Sequence, residues 1–315
     1  MAEDVLLDSR QMASFVARGF LRFDAAVPDD INRQFLDEAG RPPEATGEKL
    51  MKAYRRLLAE SGIPAVAPGI PLAQAYPSGS AIARLLALPI VAGANRSLVG
   101  ADPIFDHHFL HITFPPEFYA PSGQPNVSQH THQDSTIDTR RAFDVQIMYF
   151  PHDVTADMGG TRYVPGSHLR IVSEAAVGRY QNIRGQQHVV CPAGTLLFLH
   201  HGIWHGGGVN RSSTVRYMFK IRINPSVPQV RLWDMRDLDT EETQAPIFFV
   251  KAARAPDGVH ATLMRPEPWF EADTGRLELI NRIRLWRRLL GDESFDVDYW
   301  LTRLENEPQA PLSVR

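Results

Sequence analysis

The sequence predicts a mainly β protein with flanking helices, built as a sandwich or barrel, and three observations predict it. Apolar residues recur at helical spacing through the first part of the chain, and from about residue 104 to about Ile223 they recur at roughly every second position. The alternating runs are short, rich in β-branched and aromatic residues, and separated by Gly, Pro, Asn or Asp. No repeat or low-complexity linker interrupts the 315 residues. A single domain is expected, mainly helical over 1–100, with a β core over 104–225 and a helical extension over 226–315.

The elements follow in order. In "SRQMASFVARGF", Met12, Phe15, Val16 and Phe20 share one side of a helix, with Ser9 as the expected N-cap and Gly19 near its end. A short strand, "FLRFD", comes next. "PDDINRQFLDEAG" places Pro28 and two aspartates at a helix start and Gly40 at its end. Residues Ala45 to Ser61 read as another helix, ended by "GIPAVAPGIP", whose prolines favour extended or turning chain. The strands expected after that are "DHHFLHITF", "FDVQIMYFP", "GTRYVPGS", "QHVVCPAG", "GTLLFLH" and "VRYMFKIRINP". Near the C-terminus, "RLELINRIRLWRRLLGD" aligns Leu279, Ile283, Trp286 and Leu290 on one stripe, an outer helix with a solvated basic face, and "FDVDYWLTRLENE" reads as a last helix.

Composition narrows the function classes. A formal net charge of −3 gives no global attraction to nucleic acid or an anionic membrane. No apolar run is long enough to span a bilayer, so neither nucleic acid nor membrane is an expected partner. One cysteine, Cys191, cannot form an intramolecular disulfide, and "MAEDVLLDSR" lacks the pattern of a signal peptide, which points to the cytoplasm.

One stretch carries chemistry. In "HTHQDSTID", His132 and Asp134 stand at i and i+2, which on a strand places an imidazole and a carboxylate on one face. With 12 histidines in the chain, a single His-x-Asp is weak evidence until a third ligand joins it. "LFLHHGIWHGGGVNRS" offers His200, His201 and His205, and the three glycines after His205 imply that backbone passes close to something bulky. Two histidines and one carboxylate form the facial triad of non-haem Fe(II) oxygenases, which leaves positions open on the metal.

A keto-acid cosubstrate would need its own anchor. Arg216, eleven residues after His205, lies in the apolar strand "VRYMFKIRI". Pointing inward, its planar fork suits the distal carboxylate of 2-oxoglutarate; pointing outward, it is a solvated neighbour of Lys220 and Arg222. Spacing alone leaves both orientations open. His107 and His111 share a face of their expected strand, but no acidic partner with metal-ligand spacing accompanies them. A contact to substrate or cosubstrate remains an option for them.

Taken in order, Gln129, "HQD", "MGGTRYVPGSH" from Met158 to His168 and "WHGGGVNRSSTVR" from Trp204 to Arg216 resemble the phytanoyl-CoA dioxygenase family of Fe(II)/2-oxoglutarate oxygenases. The likeness runs loosely from about residue 10 to 225, since "FVARGFLRF" is similar to that family's opening helix and strand. It implies a double-stranded β-helix, a cupin-like jelly roll. It implies further that His132, Asp134 and His205 ligate Fe(II), that Arg216 anchors 2-oxoglutarate, and that Gln129 and Thr161 touch the cosubstrate. His168 and the "PGSH" corner then read as structural, and His200 and His201 as part of the turn before the distal ligand.

The activity so implied is a dioxygenase reaction, with O2 as oxidant and succinate and CO2 as coproducts, that oxidises an unactivated carbon of a small-molecule substrate. Asp134 occupies the position that halogenases leave to chloride, so hydroxylation is favoured; desaturation, epoxidation and ring formation stay open. Two alternatives stand beside it, a jelly-roll metalloenzyme that does not use 2-oxoglutarate and a non-catalytic binding protein that retains the fold. Pocket walls are expected from the N-terminal helices, from Pro64 to Pro71, and from Thr113 to Gln129, a Pro- and Gly-rich stretch that reads as an entrance loop. The sequence does not choose between monomer and homodimer.

Overall fold

The computed structural model describes residues 5–40, 50–119, 128–134, 144–169, 182–226 and 232–234, with Arg236 and Gly291. Apart from Gly291, both expected C-terminal helices lie outside these residues, as do Ala45 to Lys49 of the third helix, the last four residues of "HTHQDSTID" and positions 120–127 of the entrance stretch.

The first helix, α1 (Ser9–Arg18), is capped by Asp8 rather than by the expected Ser9. Asp8 accepts from the backbone N–H of Gln11 at 2.7 Å, and the Gln11 side chain accepts from the Asp8 N–H, a reciprocal box that Ser9 could not close one residue later. Gly19 ends the helix at φ 78°, and a Cβ there would lie 2.5 Å from Nδ1 of His168, so both conformation and space demand glycine. The chain continues into β1 (Phe20–Phe23), α2 (Asp29–Ala39), α3 (Leu50–Glu60), α4 (Ala81–Leu86) and α5 (Pro89–Val99). The proline-rich stretch after α3 is held against the start of β2 (Ile104–Thr113) by reciprocal bonding between Gly69, Ile70 and Phe105.

The remaining strands are β3 (Gln129–His132), β4 (Val145–Phe150), β5 (Thr161–Tyr163), β6 (Gln187–His188), β7 (Thr195–His200), β8 (His205–Gly207) and β9 (Arg216–Asn224). They form two antiparallel sheets, one ordered β1-β7-β4-β9-β2 and the other β3-β8-β5-β6. Apart from the β5–β6 pair, successive strands from β2 onward alternate between the sheets, which is the winding of a jelly roll.

Period-two alternation divides the larger sheet into two apolar faces. Ile147, Tyr149, Phe198, Phe219 and Ile221 face the helices, where Phe35 of α2 packs its ring against Tyr149 and Phe219 at 5.1 and 5.4 Å. Tyr149 donates its hydroxyl proton to Asn32, so its polar tip is satisfied inside this layer. Phe35→Ala would cost about 3–5 kcal/mol, the usual range for emptying a fully buried aromatic site. The opposite face turns Met148, Phe150, Leu197, Leu199 and Met218 into the space between the sheets, against Tyr163, Val189 and Cys191. The core between the sheets is apolar on the β7 side and turns polar toward β9 and β2.

Candidate metal and cosubstrate site

β3 and β8 pair so that His132 and His205 are register partners, with ring centroids 4.4 Å apart. The three glycines after His205 allow this approach. A Cβ on Gly206 would lie 2.8 Å from the carbonyl of Gln129, one on Gly207 would overlap the Ser128 side chain, and one on Gly208 would meet Gly159 at 2.9 Å. Strand β3 ends at His132, so Asp134 is not on the same strand face, as the spacing had implied; a bend beyond the strand end brings it round instead. Asp134 Oδ1 comes within 3.1 Å of His132 Nε2 and 3.8 Å of His205 Nε2. One ligand atom from each residue lies within 4.8 Å of the others.

Hydrogen bonding aims both rings. His132 Nδ1 sits 2.8 Å from the carbonyl of His130 and His205 Nδ1 3.0 Å from that of Ile203. A carbonyl only accepts, so each Nδ1 carries a proton and each neutral ring presents its Nε2 lone pair to Asp134. Two lone pairs and a carboxylate facing one point repel one another unless a cation lies between them. Without a metal only a proton can serve, and although burial opposes it, the bonds to Asp134 and His130 hold the pKa of His132 above its ordinary value. Burial dominates at His205 and takes it down to about 4. Two nitrogens and one oxygen converging in this way suit a divalent metal ion and leave room for exogenous ligands.

The second oxygen of Asp134 is held separately, 2.9 Å from Lys220 Nζ on β9, and both side chains are nearly buried. Although desolvation works against the charged form, His205, His132 and Lys220 together keep the Asp134 carboxyl well below the ordinary carboxylate range. Further along the same face of β9, Arg222 is paired with Asp144.

A cavity of about 150 Å³ adjoins the triad at His205, and Tyr54, His111, Thr113, Gln129, Met148, Thr161, Arg216 and Met218 are among its other lining residues. Arg216 points inward, which decides between the two orientations that the sequence allowed. It is 2 % exposed; one of its terminal nitrogens donates to the Thr113 hydroxyl at 2.8 Å, while its Nε and other terminal nitrogen have no partner. Desolvation lowers its pKa to about 10 without abolishing its charge at neutral pH. Gln129 and Thr161 both reach this cavity, although the Gln129 amide also lies 3.1 Å from His132 Nε2.

The other histidines divide between structure and site. His168 Nε2 lies 2.9 Å from the Val16 carbonyl, the structural role expected of it. His200 closes β7 and packs its ring between His168 and His201, at 4.9 and 4.5 Å. His108 turns to the helical layer, where its Nδ1 meets the Tyr76 hydroxyl at 2.7 Å. His111 turns into the cavity. Among the described residues only His132, Asp134 and His205 cluster as metal ligands. Lys220 and Thr113 went unnamed as site residues in the sequence. The parity of β9 carried a signal for the first, because an inward Arg216 puts Met218, Lys220 and Arg222 on the same face; Thr113 meets Arg216 only through the β2–β9 register.

Fold and site together define a jelly-roll protein with a two-histidine, one-carboxylate cluster beside a buried arginine. The sequence profile of the family Phytanoyl-CoA dioxygenase (PhyH) matches residues 16–218, and the chain belongs to that family of Fe(II)/2-oxoglutarate-dependent oxygenases. Solved structures similar to it include EvdMO1, 17% identical over 69% of this chain and 50% of that one, with a TM-score of 0.48. The chain thus spans half the length of EvdMO1. Another is the epimerase SnoN in complex with Fe3+, alpha ketoglutarate and nogalamycin RO, 16% identical over 74% of this chain and 95% of that one, TM-score 0.48. A third is HygX from Streptomyces hygroscopicus with nickel and 2-oxoglutarate bound, 15% identical over 73% of this chain and 92% of that one, TM-score 0.47. No curated protein matches the sequence. No helix of the described residues is long and apolar enough to cross a membrane.

Proposed function

We propose that this protein is an Fe(II)- and 2-oxoglutarate-dependent dioxygenase that hydroxylates an unactivated carbon of a small organic molecule. The observation that carries the reading is Arg216: a buried guanidinium with two unpartnered nitrogens in the wall of a small cavity that His205, of the His132, Asp134 and His205 cluster, also lines. Burying such a group costs several kcal/mol unless an anion completes it, and a dicarboxylate with a keto-acid end joins the two features. Fe(II), when bound, supplies the oxidising chemistry together with O2 and 2-oxoglutarate.

The chain's own residues divide the remaining work. His132, Asp134 and His205 hold the metal on one side, and the bonds at His130 and Ile203 fix which ring nitrogen each histidine offers. Arg216, with Thr113 beside it, holds the distal carboxylate and so orients the cosubstrate toward the metal. Met148 and Met218 line the cavity and exclude water from its interior. Gln129 and Thr161 contribute polar contacts along the wall. We place the catalytic unit in one domain and, with a single buried cysteine, in the reducing cytoplasm.

Anaerobic titration of the purified chain with Fe(II) and 2-oxoglutarate tests this, read by the weak visible charge-transfer band of a metal-chelated keto acid. Wild type should develop the band, and Arg216→Ala should need about ten to a hundred times more 2-oxoglutarate to reach it, the usual effect of losing a charge-assisted hydrogen bond. Iron-loaded wild type that shows no band overturns the reading.

A further inference from the structure

The β2–β9 register sets an order along the inner face of the larger sheet. Thr113 stands opposite Arg216, His111 opposite Met218, and Phe109 opposite Lys220. Lys220 marks the metal end of this row, because its ammonium touches Asp134, and Arg216 marks the other end. The two are four residues apart, about 13 Å along a strand at about 3.3 Å per residue. His111 occupies the row between them, one step from Arg216 on the neighbouring strand.

His111 brings an unsatisfied group into this space. Its Nε2 is buried and has no hydrogen-bond partner, and the side chain lines the same cavity as the unpartnered Arg216 nitrogens. Unpartnered buried polar atoms are uncommon, and here those of two neighbouring residues face one small cavity. Burial, with Lys220 and Arg216 both nearby, takes the pKa of His111 down to about 3, so the ring is neutral at physiological pH and has one N–H to give. A metal at this point is not supported, since no carboxylate or second imidazole joins His111 in a ligand cluster among the described residues.

We propose that His111 is a cosubstrate-binding residue, donating its Nε2–H to the distal carboxylate of 2-oxoglutarate that Arg216 also holds. This rests on the oxygenase reading above. Carboxylate oxygens have room for both partners, because each accepts more than one hydrogen bond, and the guanidinium and the imidazole reach them from adjacent strands. A neutral donor adds directionality without a third positive charge beside Lys220 and Arg216.

The test compares two keto acids on the intact iron-loaded chain under anaerobic conditions: 2-oxoglutarate, and 2-oxovalerate, which has the same carbon chain without the distal carboxylate. His111→Phe should bind 2-oxoglutarate about tenfold or more weaker than wild type while binding 2-oxovalerate unchanged, and His111→Gln, which keeps an N–H donor, should recover part of the loss. In turnover the Phe variant should raise KM for 2-oxoglutarate more than it lowers kcat. Unchanged 2-oxoglutarate binding in His111→Phe, or an equal loss for both keto acids, overturns the assignment and leaves the oxygenase reading standing. Failure of wild type to bind 2-oxoglutarate at all overturns both.

Discussion

Lys220 and Asp134 form a nearly buried ion pair, with Nζ 2.9 Å from Oδ2, and the lysine thereby occupies the carboxylate oxygen that does not face the two histidines. The pair divides the carboxylate, one oxygen toward the histidine nitrogens and the other fixed to β9. In the metal-free protein Lys220 is also the nearest full positive charge balancing Asp134.

Lys220→Met should therefore destabilise the metal-free protein by roughly 2–4 kcal/mol, because it leaves a carboxylate buried without its partner. Added Ni(II), a redox-silent stand-in for iron, should recover more stability in the variant than in wild type, since the metal replaces the missing charge. Thermal melts with and without Ni(II) measure both effects; equal gains in the two proteins would contradict the charge-balance account.

Arg216 gives the opposite sign. With no carboxylate present its two unpartnered nitrogens are a cost, so Arg216→Met should unfold at a higher temperature than wild type, by about 1–3 kcal/mol in stability. Metal with 2-oxoglutarate should then stabilise wild type more than the variant. A less stable variant in the absence of cosubstrate would mean that Arg216 already has its partner within the fold.

The glycine after His205 makes a geometric prediction. Gly206→Ala must push β3 away, because its Cβ would sit 2.8–3.0 Å from the backbone of Gln129 and His130. Since β3 carries His132, metal affinity should fall about 10- to 100-fold while the helical layer is untouched. Isothermal titration with Ni(II) measures this, and wild-type affinity in the variant would show that the strand yields elsewhere.

Acid should destabilise the protein through the buried histidine cluster. Burial takes His168 down to about 4 and His200 well below its ordinary value. Unfolded histidines protonate near 6.5 while these stay neutral in the fold, so the unfolded state binds more protons as pH falls below 6.5. Their contribution should be constant above that pH and decline from 6.5 toward 4, by roughly 3 kcal/mol for His168 alone at the lower limit. Urea unfolding across pH 7 to 4.5 follows the slope, which His168→Gln should reduce; an unchanged slope in that variant would assign the effect to other groups.

Much of this architecture was legible before any coordinates. Helix α1 declared itself by apolar spacing and Gly19 at its end, α2 by Pro28 and two aspartates at its start and Gly40 at its end, and the β core by alternation between turn residues. The cap of α1 was misread because Asp8 and Ser9 are both good caps, and only the reciprocal reach of Gln11 distinguishes them. His132, Asp134 and His205 were each visible as ligand types in suggestive settings. Their convergence followed only from the resemblance, and the route to it was not legible, since Asp134 arrives by a bend past the end of β3 and His205 by pairing across the sheet.

By itself, then, the sequence determined the fold class, the kinds of ligand available and the candidate anchor for a carboxylate, because periodicity and residue chemistry are local properties written along the chain. Only the tertiary structure decided that Arg216 faces inward, that Lys220 takes the second oxygen of Asp134, and that His111 stands between metal and anchor. Each of those depends on strand register: a shift of one residue of β9 against β4 would turn Arg216 and Lys220 to the opposite face, and one of β2 against β9 would turn His111, with no change in the sequence at all.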